Sequence, residues 1–404
     1  MGDEVISSED VDKVRGVVAG LGRAWTPMDV AQALTSIGRV ASDSTVLTVV
    51  EELRRTSSGA GRLEPLLALD GVTDVLVNGP DQVYIDRGRG LELTDTTFTS
   101  PDELRSLAVR LAAGVGRRLD DGCPWVDARL ADGTRVHAIL DVLAKPGTCL
   151  SLRVPARHRM SLDDWVMASS MTAETAHLLE QVVVRKLAFL VTGGTGSGKT
   201  TLLASLLGCV PAHERIVIVE DSRELSPDHE HVVSLEARAA NAEGRGQVSL
   251  TDLVRQSLRM RPDRVVLGEV RGAELRDMLM ALNTGHEGGC GTVHANGVQE
   301  VPARLEALAA LSGMNRPAAH AQVAAAFHLV LLLVRGPKGR RLAQIGVFEH
   351  VDGCAVVTQA LVFDEDLVCT PGPGAERLGD LVGEQTVSRV VQGQGRPRRA
   401  RRAA

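Results

Sequence analysis

The chain has 404 residues, a net charge of −6, 44% hydrophobic and 24% charged content, enough for two domains each with its own core. The acidic balance gives no electrostatic reason to expect non-specific nucleic-acid binding, and 2% aromatic content leaves Ala, Val and Leu to build the cores. No apolar run nears the roughly 18 residues of a bilayer span, the acidic start (Asp3, Glu4, Glu9, Asp10) lacks a secretory pattern, and the six scattered cysteines contain no C-x-x-C. These features point to a cytoplasmic protein with free thiols and no zinc site.

Residues 1–60 read as an extension of short amphipathic helices, with apolar stripes Val11-Val14-Val17-Val18-Leu21 and Val46-Leu47-Val49-Val50-Leu53. Ser57 to Gly61 reads as a linker. Residues 61–155 mix strand and helix signals and predict a compact α+β domain. Its strands are Val72 to Val77, Val83 to Asp86, Arg135 to Leu140 and Cys149 to Val154, and its helix runs from Pro101 with Ser100 as N-cap and Glu103 at the capping-box position. Residues 156–170 are polar and irregular and read as an interdomain connection. From 171 to 352 strands and helices alternate, with strands at 187–192, 215–220, 231–235, 263–268, 290–294 and 328–334. That alternation predicts a mostly parallel sheet with helices on both faces. Residues 353–404 read as a strand and tail. From 371 the tail is Gly/Pro-rich, predicts disorder, and ends in Arg396 to Arg402, which suits simple solvation or contact with an anionic membrane surface or another acidic partner.

The strongest signal is Gly193-Gly194-Thr195-Gly196-Ser197-Gly198-Lys199-Thr200, which fits G-x-x-x-x-G-K-[ST]. A strand signal precedes it and a helix signal, starting at Thr201, follows it. Strand, glycine loop and helix N-terminus make an anion site of inward N–H groups and a favourable dipole. The pattern predicts ATP with Mg²⁺: Gly193 to Thr201 cradle the phosphates, Lys199 reaches the β- and γ-phosphates, and Thr200 holds the metal. The chain contains only five lysines among 45 basic residues, and Lys199 is one of them.

Other strands end in chemistry-bearing residues where open α/β sheets place their ligands. The strand at 215–220 ends in Glu220, the one at 263–268 is followed by Glu269, and the one at 290–294 ends in His294. Were the first two to flank the phosphate-loop strand, one acid would polarise the attacking water and the other would bind Mg²⁺ through water. Which of them is the general base stays open. An imidazole at His294 would sense the γ-phosphate or a neighbouring subunit.

In order, these motifs resemble those of the secretion-superfamily ATPases. The phosphate loop is similar to their Walker A motif, Glu220 to Leu225 to their Asp box, Leu258 to Arg271 to their atypical Walker B with Gly268-Glu269, and Thr284 to Asn296 to their His box. Leu63 to Leu67, Val72 to Gly79 and Arg129 to Val136 resemble the Tad/CpaF branch, close to the VirB11 type IV secretion ATPases, and the likeness covers about residues 61–352. The lack of a tetracysteine site favours that side over the type II and pilus-extension branch. The resemblance implies a RecA-like phosphate-loop NTPase domain beside a smaller α+β N-terminal domain and short N-terminal helices. It implies a homo-hexamer that hydrolyses Mg-ATP and works on inner-membrane platform proteins in Flp/Tad-type pilus assembly or related secretion. It also implies trans-acting arginines, matched here by Arg129, Arg135 and Arg153, with Arg271 a further family arginine. The expected place is cytoplasmic and peripheral at the inner membrane, with no direct nucleic acid. The alternative is an ATPase serving conjugal DNA transfer or DNA translocation.

Overall fold

The computed structural model describes residues 8–19, 26–42, 44–50, 60–88, 90–155, 159–238, 240 and 245–393. Most of the linker expected at Ser57 to Gly61 and the whole Arg-rich tail lie outside them. The chain divides into two compact units, Met1–Arg157 and His158–Ala404.

The first unit opens with α1 (Ser8–Ala19), α2 (Pro27–Ser36) and α3 (residues 44–50). Val11, Val14 and Val18 pack with Val30, Leu34, Val49 and Val50. The stripe alternates as helical spacing requires, and Val17 falls on the solvent side. Thr26 and Asp29 close a reciprocal capping box at the start of α2.

Beyond α4 (Glu64–Ala68), an antiparallel sheet contains β1 (Asp74–Asn78), β2 (Val83–Asp86), β3 (Leu91–Leu93), β4 (Trp125–Arg129), β5 (Arg135–Ile139) and β6 (Cys149–Arg153), in the order β3-β2-β1-β6-β5-β4. α5 (Pro101–Gly114) packs Leu104, Leu107, Ala108 and Leu111 into the same core as Val75, Val77, Ala138, Leu150 and Leu152. Ser100 caps α5 as expected, but the Glu103 carboxylate accepts from the Thr99 N–H and hydroxyl, one residue upstream of the N-cap.

Residues 156–170 are not wholly irregular, because α6 (Leu162–Met167) forms within them and buries Trp165 completely. Ser161 and Asp164 form a capping box, a signature legible in the sequence but hidden by the helix's brevity. α7 (Ala173–Val184) follows, then β7 (Phe189–Gly193), α8 (Lys199–Leu207), β8 (Ile216–Glu220), β9 (Val232–Glu236), α9 (Leu250–Ser257), β10 (Arg264–Leu267), α10 (Glu274–Leu282), β11 (Cys290–Val293), α11 (Val301–Leu311), α12 (Arg316–Ala326), β12 (Leu329–Gly336), β13 (Gly339–Val351), β14 (Cys354–Phe363), β15 (Cys369–Pro371), α13 (Ala375–Val382) and α14 (Glu384–Gln392).

The sheet order is β15-β14-β13-β12-β7-β11-β10-β8-β9. From β12 to β9 the pairs are parallel, and from β12 to β15 they are antiparallel. Residues along β7 alternate between two cores. Phe189 and Val191 join Leu178, Leu202 and Leu206 on one face, while Leu190 joins Leu275, Val301 and Val323 on the other. A sheet buried on both faces has no polar side, which is why its strands read as continuous apolar runs.

The disorder expected from 371 fails through 393. Leu378, Val382, Val387 and Val390 are buried in the core that α7 and α8 share. The glycines misled that reading because they serve close packing. A Cβ at Gly372 would lie 2.4 Å from the Gln359 carbonyl oxygen, and one at Gly374 2.7 Å from Val347. Among the described residues no helix is long and apolar enough to cross a membrane.

Candidate nucleotide site

The phosphate loop joins β7 to α8, and its shape depends on glycine where the backbone demands it. Gly193 has φ +142, and a Cβ there would meet the Leu333 carbonyl oxygen at 2.2 Å. Gly196 (φ +72) and Gly198 (φ +96) adopt the left-handed region, and Gly198 is the N-cap of α8. Leu202, Leu203, Leu206 and Leu207 anchor α8 in the core, so its N-terminus is held in place against β7.

Lys199 is nearly buried, and its ammonium uses three donors locally. It donates to the carbonyls of Gly193 at 2.9 Å and Gly194 at 3.0 Å, and it lies 3.4 Å from His294 Nδ1. Burial lowers its pKa, the charges of Glu269 and Glu224 oppose that, and Arg271 adds to it.

The sequence left open whether the two acidic strands flank β7. They do not. β11 and β12 are its neighbours, β10 lies beyond β11, and β8 beyond β10. His294, just past β11, therefore stands between the loop and Glu269. Its Nε2 is 3.1 Å from Glu269 Oε1. A neutral ring protonated on Nε2 donates to Glu269 and accepts from Lys199 on Nδ1, which satisfies both contacts. Burial lowers the His294 pKa, Lys199 lowers it further, and Glu269 only partly offsets them.

Arg271 bonds Glu269 at 2.7 Å and lies 3.6 Å from Asp221. Burial would raise the Glu269 pKa, but the Arg271 bond and charge, with His294 and Lys199, hold it below the ordinary carboxylate value. The ends of β10 and β11 are tied together: the Thr292 hydroxyl donates to the Gly268 carbonyl at 2.7 Å, and the Val270 N–H to the Thr292 carbonyl at 2.8 Å.

Glu220 is placed differently. It is buried, and its Oε1 accepts backbone N–H bonds from Glu224 and Leu225, both at 2.9 Å. A Cβ on Gly268 would sit 2.5 Å from Glu220 Cγ, so glycine before Glu269 makes room for this side chain. Glu220 thus shapes the turn that follows it. That turn delivers Glu224, whose Oε2 is 3.5 Å from Thr200 Oγ1. Glu224 lies four positions beyond the strand end at Glu220, too far for the sequence alone to place it at the site. Its place depends on how the turn folds back.

The first unit gathers the three candidate arginines. Arg129 pairs with Arg135 across β4 and β5, and Arg135 with Arg153 across β5 and β6. Directly opposed residues project from one face, so the three guanidinium groups form a row at one end of the sheet.

A loop shaped by three left-handed or crowded glycines, with a buried lysine, a hydroxyl beside a carboxylate and an acid–imidazole pair, defines a RecA-like phosphate-loop nucleotide-binding fold. The chain belongs to the type II/IV secretion system protein family, whose model matches residues 56–362. It is 52% identical over 318 residues to a protein of Mycobacterium tuberculosis provisionally named as a conjugal transfer protein, covering 77% of this chain and 90% of that one. It is 35% identical over 259 residues to the type IV secretion system protein PtlH of Bordetella pertussis, covering 58% and 75% respectively. The crystal structure of the pilus retraction motor PilT with bound ADP is similar at a TM-score of 0.51 and 19% identity, over 81% of this chain and 87% of that one, a likeness of fold alone.

Proposed function

We propose that this chain is an Mg-ATP hydrolase that acts as a hexameric motor of Flp/Tad-type pilus assembly, or of a related type II/IV secretion apparatus, at the cytoplasmic face of the inner membrane. The observation that carries the reading is the contact chain Lys199–His294–Glu269 at the mouth of a glycine loop, with Thr200 beside Glu224. The residues fit the ligands they would hold. Gly193 to Thr201 would cradle the phosphates, Lys199 would leave its carbonyls for the β- and γ-phosphates, and Thr200 would take Mg²⁺, with Glu224 or Glu269 binding its waters. The metal would neutralise charge developing on the phosphoryl oxygens.

Glu269 is the better candidate for the attacking water, since Glu220 is committed to backbone N–H groups. A carboxylate held ionised by Arg271 is a weak base, but a loose phosphoryl-transfer transition state needs a positioned water more than a strong base. The row Arg129, Arg135 and Arg153 suits bidentate contact with γ-phosphate charge from a neighbouring subunit. A ring that rocks on ATP binding and release would push on membrane platform proteins. Membership of the Tad/CpaF branch rests on the N-terminal motifs around Leu63, Val72 and Arg129.

Phosphate release from Mg-ATP, measured across a wide protein concentration, tests this reading. Specific activity is expected to rise with concentration as subunits complete one another's sites, and Lys199→Ala to reduce turnover at least about a hundredfold. Near-normal hydrolysis by Lys199→Ala would overturn the site. A second reading, an ATPase serving conjugal DNA transfer, is favoured by the name of the Mycobacterium tuberculosis relative. Several-fold stimulation by single-stranded DNA would select it. The acidic net charge and few aromatics weigh against it.

A further inference from the structure

The loop's other neighbour, β12, runs into β13 through a tight hairpin, with Gly336 paired to Gly339. Next to that turn Arg335 and Arg340 are direct cross-strand partners. Both arginines reach the phosphate loop. The Arg340 Nε–H donates to the Gly196 carbonyl at 3.1 Å, and Arg335 Nη1 lies 3.8 Å from where a Cβ on Gly196 would sit. The Arg340 side chain also closes on Gly198, with Cδ 3.1 Å and the Trp165 ring 3.2 Å from the position a Cβ would occupy. Trp165 is itself locked, its indole N–H donating to Ser205 Oγ at 2.9 Å inside α8. Arg341, by contrast, turns away to the Phe363 carbonyl, and Lys338 pairs with Asp366.

The two flanks of the loop differ in chemistry. Glu269 and His294 stand on the β11 side, and water attack requires the γ-phosphate there. A nucleotide with its γ-phosphate toward β11 would extend its α-phosphate and ribose toward β12. We propose that Arg335 and Arg340 form a subsite for the α-phosphate and ribose of the bound nucleoside diphosphate or triphosphate, which makes the hairpin a positioning element for the half of the ligand that Lys199 does not reach. This rests on the nucleotide reading of the loop. It adds the specificity that a glycine loop lacks, since the loop alone recognises any oligophosphate.

The test is calorimetric titration of the full chain with Mg-ADP and, separately, with inorganic pyrophosphate. Arg335→Ala and Arg340→Ala are expected to weaken ADP about tenfold and leave pyrophosphate unchanged, as loss of one charge-assisted bond predicts. Arg340→Lys, which keeps the charge but loses the Nε donor, is expected to fall between wild type and Arg340→Ala. Equal weakening of both ligands would mean that the arginines only buttress the loop, and that overturns the assignment. Unchanged ADP binding in both alanine variants overturns it as well. Wild-type protein that binds neither ligand would overturn the nucleotide reading itself, which separates the two failures. Thermal unfolding without ligand checks each variant's fold, and Arg335, on the exposed side of the hairpin, is the variant least expected to disturb it.

Discussion

One flank of the phosphate loop carries an acid and an imidazole; the other carries two guanidinium groups. The difference follows from strand direction. On the first flank β11, β10 and β8 run parallel to β7, so each must cross over before the next begins, and each contributes a single residue at or just past its end. His294, Glu269 and Glu220 arise that way. On the second flank β12 and β13 are antiparallel, so a hairpin presents two opposed residues at once, Arg335 and Arg340. Parallel ends suit a catalytic series built from distant motifs, whereas a hairpin suits a clamp on the ligand's remainder.

The sharpest way to break the comparison lies within the first flank. Glu269→Gln should lower kcat about 10²–10³-fold with the fold intact, because it removes the carboxylate proposed to orient the attacking water beside His294. Glu220→Gln should instead cost about 1–3 kcal/mol of stability through its buried bonds to the Glu224 and Leu225 N–H groups. Denaturant unfolding and single-turnover hydrolysis of the two variants decide it. A folded, inactive Glu220→Gln beside an active Glu269→Gln would reverse the assignment.

A smaller effect concerns the metal. Glu224→Gln should raise the Mg²⁺ concentration needed for half-maximal hydrolysis about tenfold, because Glu224 is the carboxylate that reaches Thr200. An unchanged Mg²⁺ titration would leave that task to Glu269 alone.

The smallest expected effect is in pH. The His294 pKa is lowered from 6.5 by burial and by Lys199. A depressed folded-state value means that the unfolded chain binds the proton more readily, so the histidine's contribution is present above about 6.5 and is lost as pH falls through the depressed value. Activity should decline on that acid limb as the ring is protonated and Nδ1 can no longer accept from Lys199. His294→Gln should flatten the limb, and a limb that persists in the variant would assign it to another group.

Much of this was legible locally. Apolar runs identified β7 to β12 of the second unit but not β13, and Ser100, Pro101 and Glu103 marked the start of α5. The glycine loop was legible because its residues are contiguous and one backbone shape needs them all. The same local logic failed where glycine meant close approach. Gly372 and Gly374 suggested a loose tail, yet they seat α13 against β14. It failed again at Leu162–Met167, where a single turn and a half of helix is too short for periodicity to show.

By itself the sequence determined the chemical inventory: a phosphate loop with its lysine, acids after apolar strands, a histidine after a third, and arginines in the first unit. Those depend on residue type and short spacing, which the chain carries without folding. Only the tertiary structure decided which of these meet. Strand order put β11 rather than β10 or β8 beside β7, which made His294 the bridge from Lys199 to Glu269. The fold of one turn gave Glu220 to the backbone and Glu224 to Thr200. The pairing of β12 with β13 brought Arg340 to Gly196 across a sequence separation of 144 residues. Contacts of that separation depend on sheet order and register, and no local spacing encodes either.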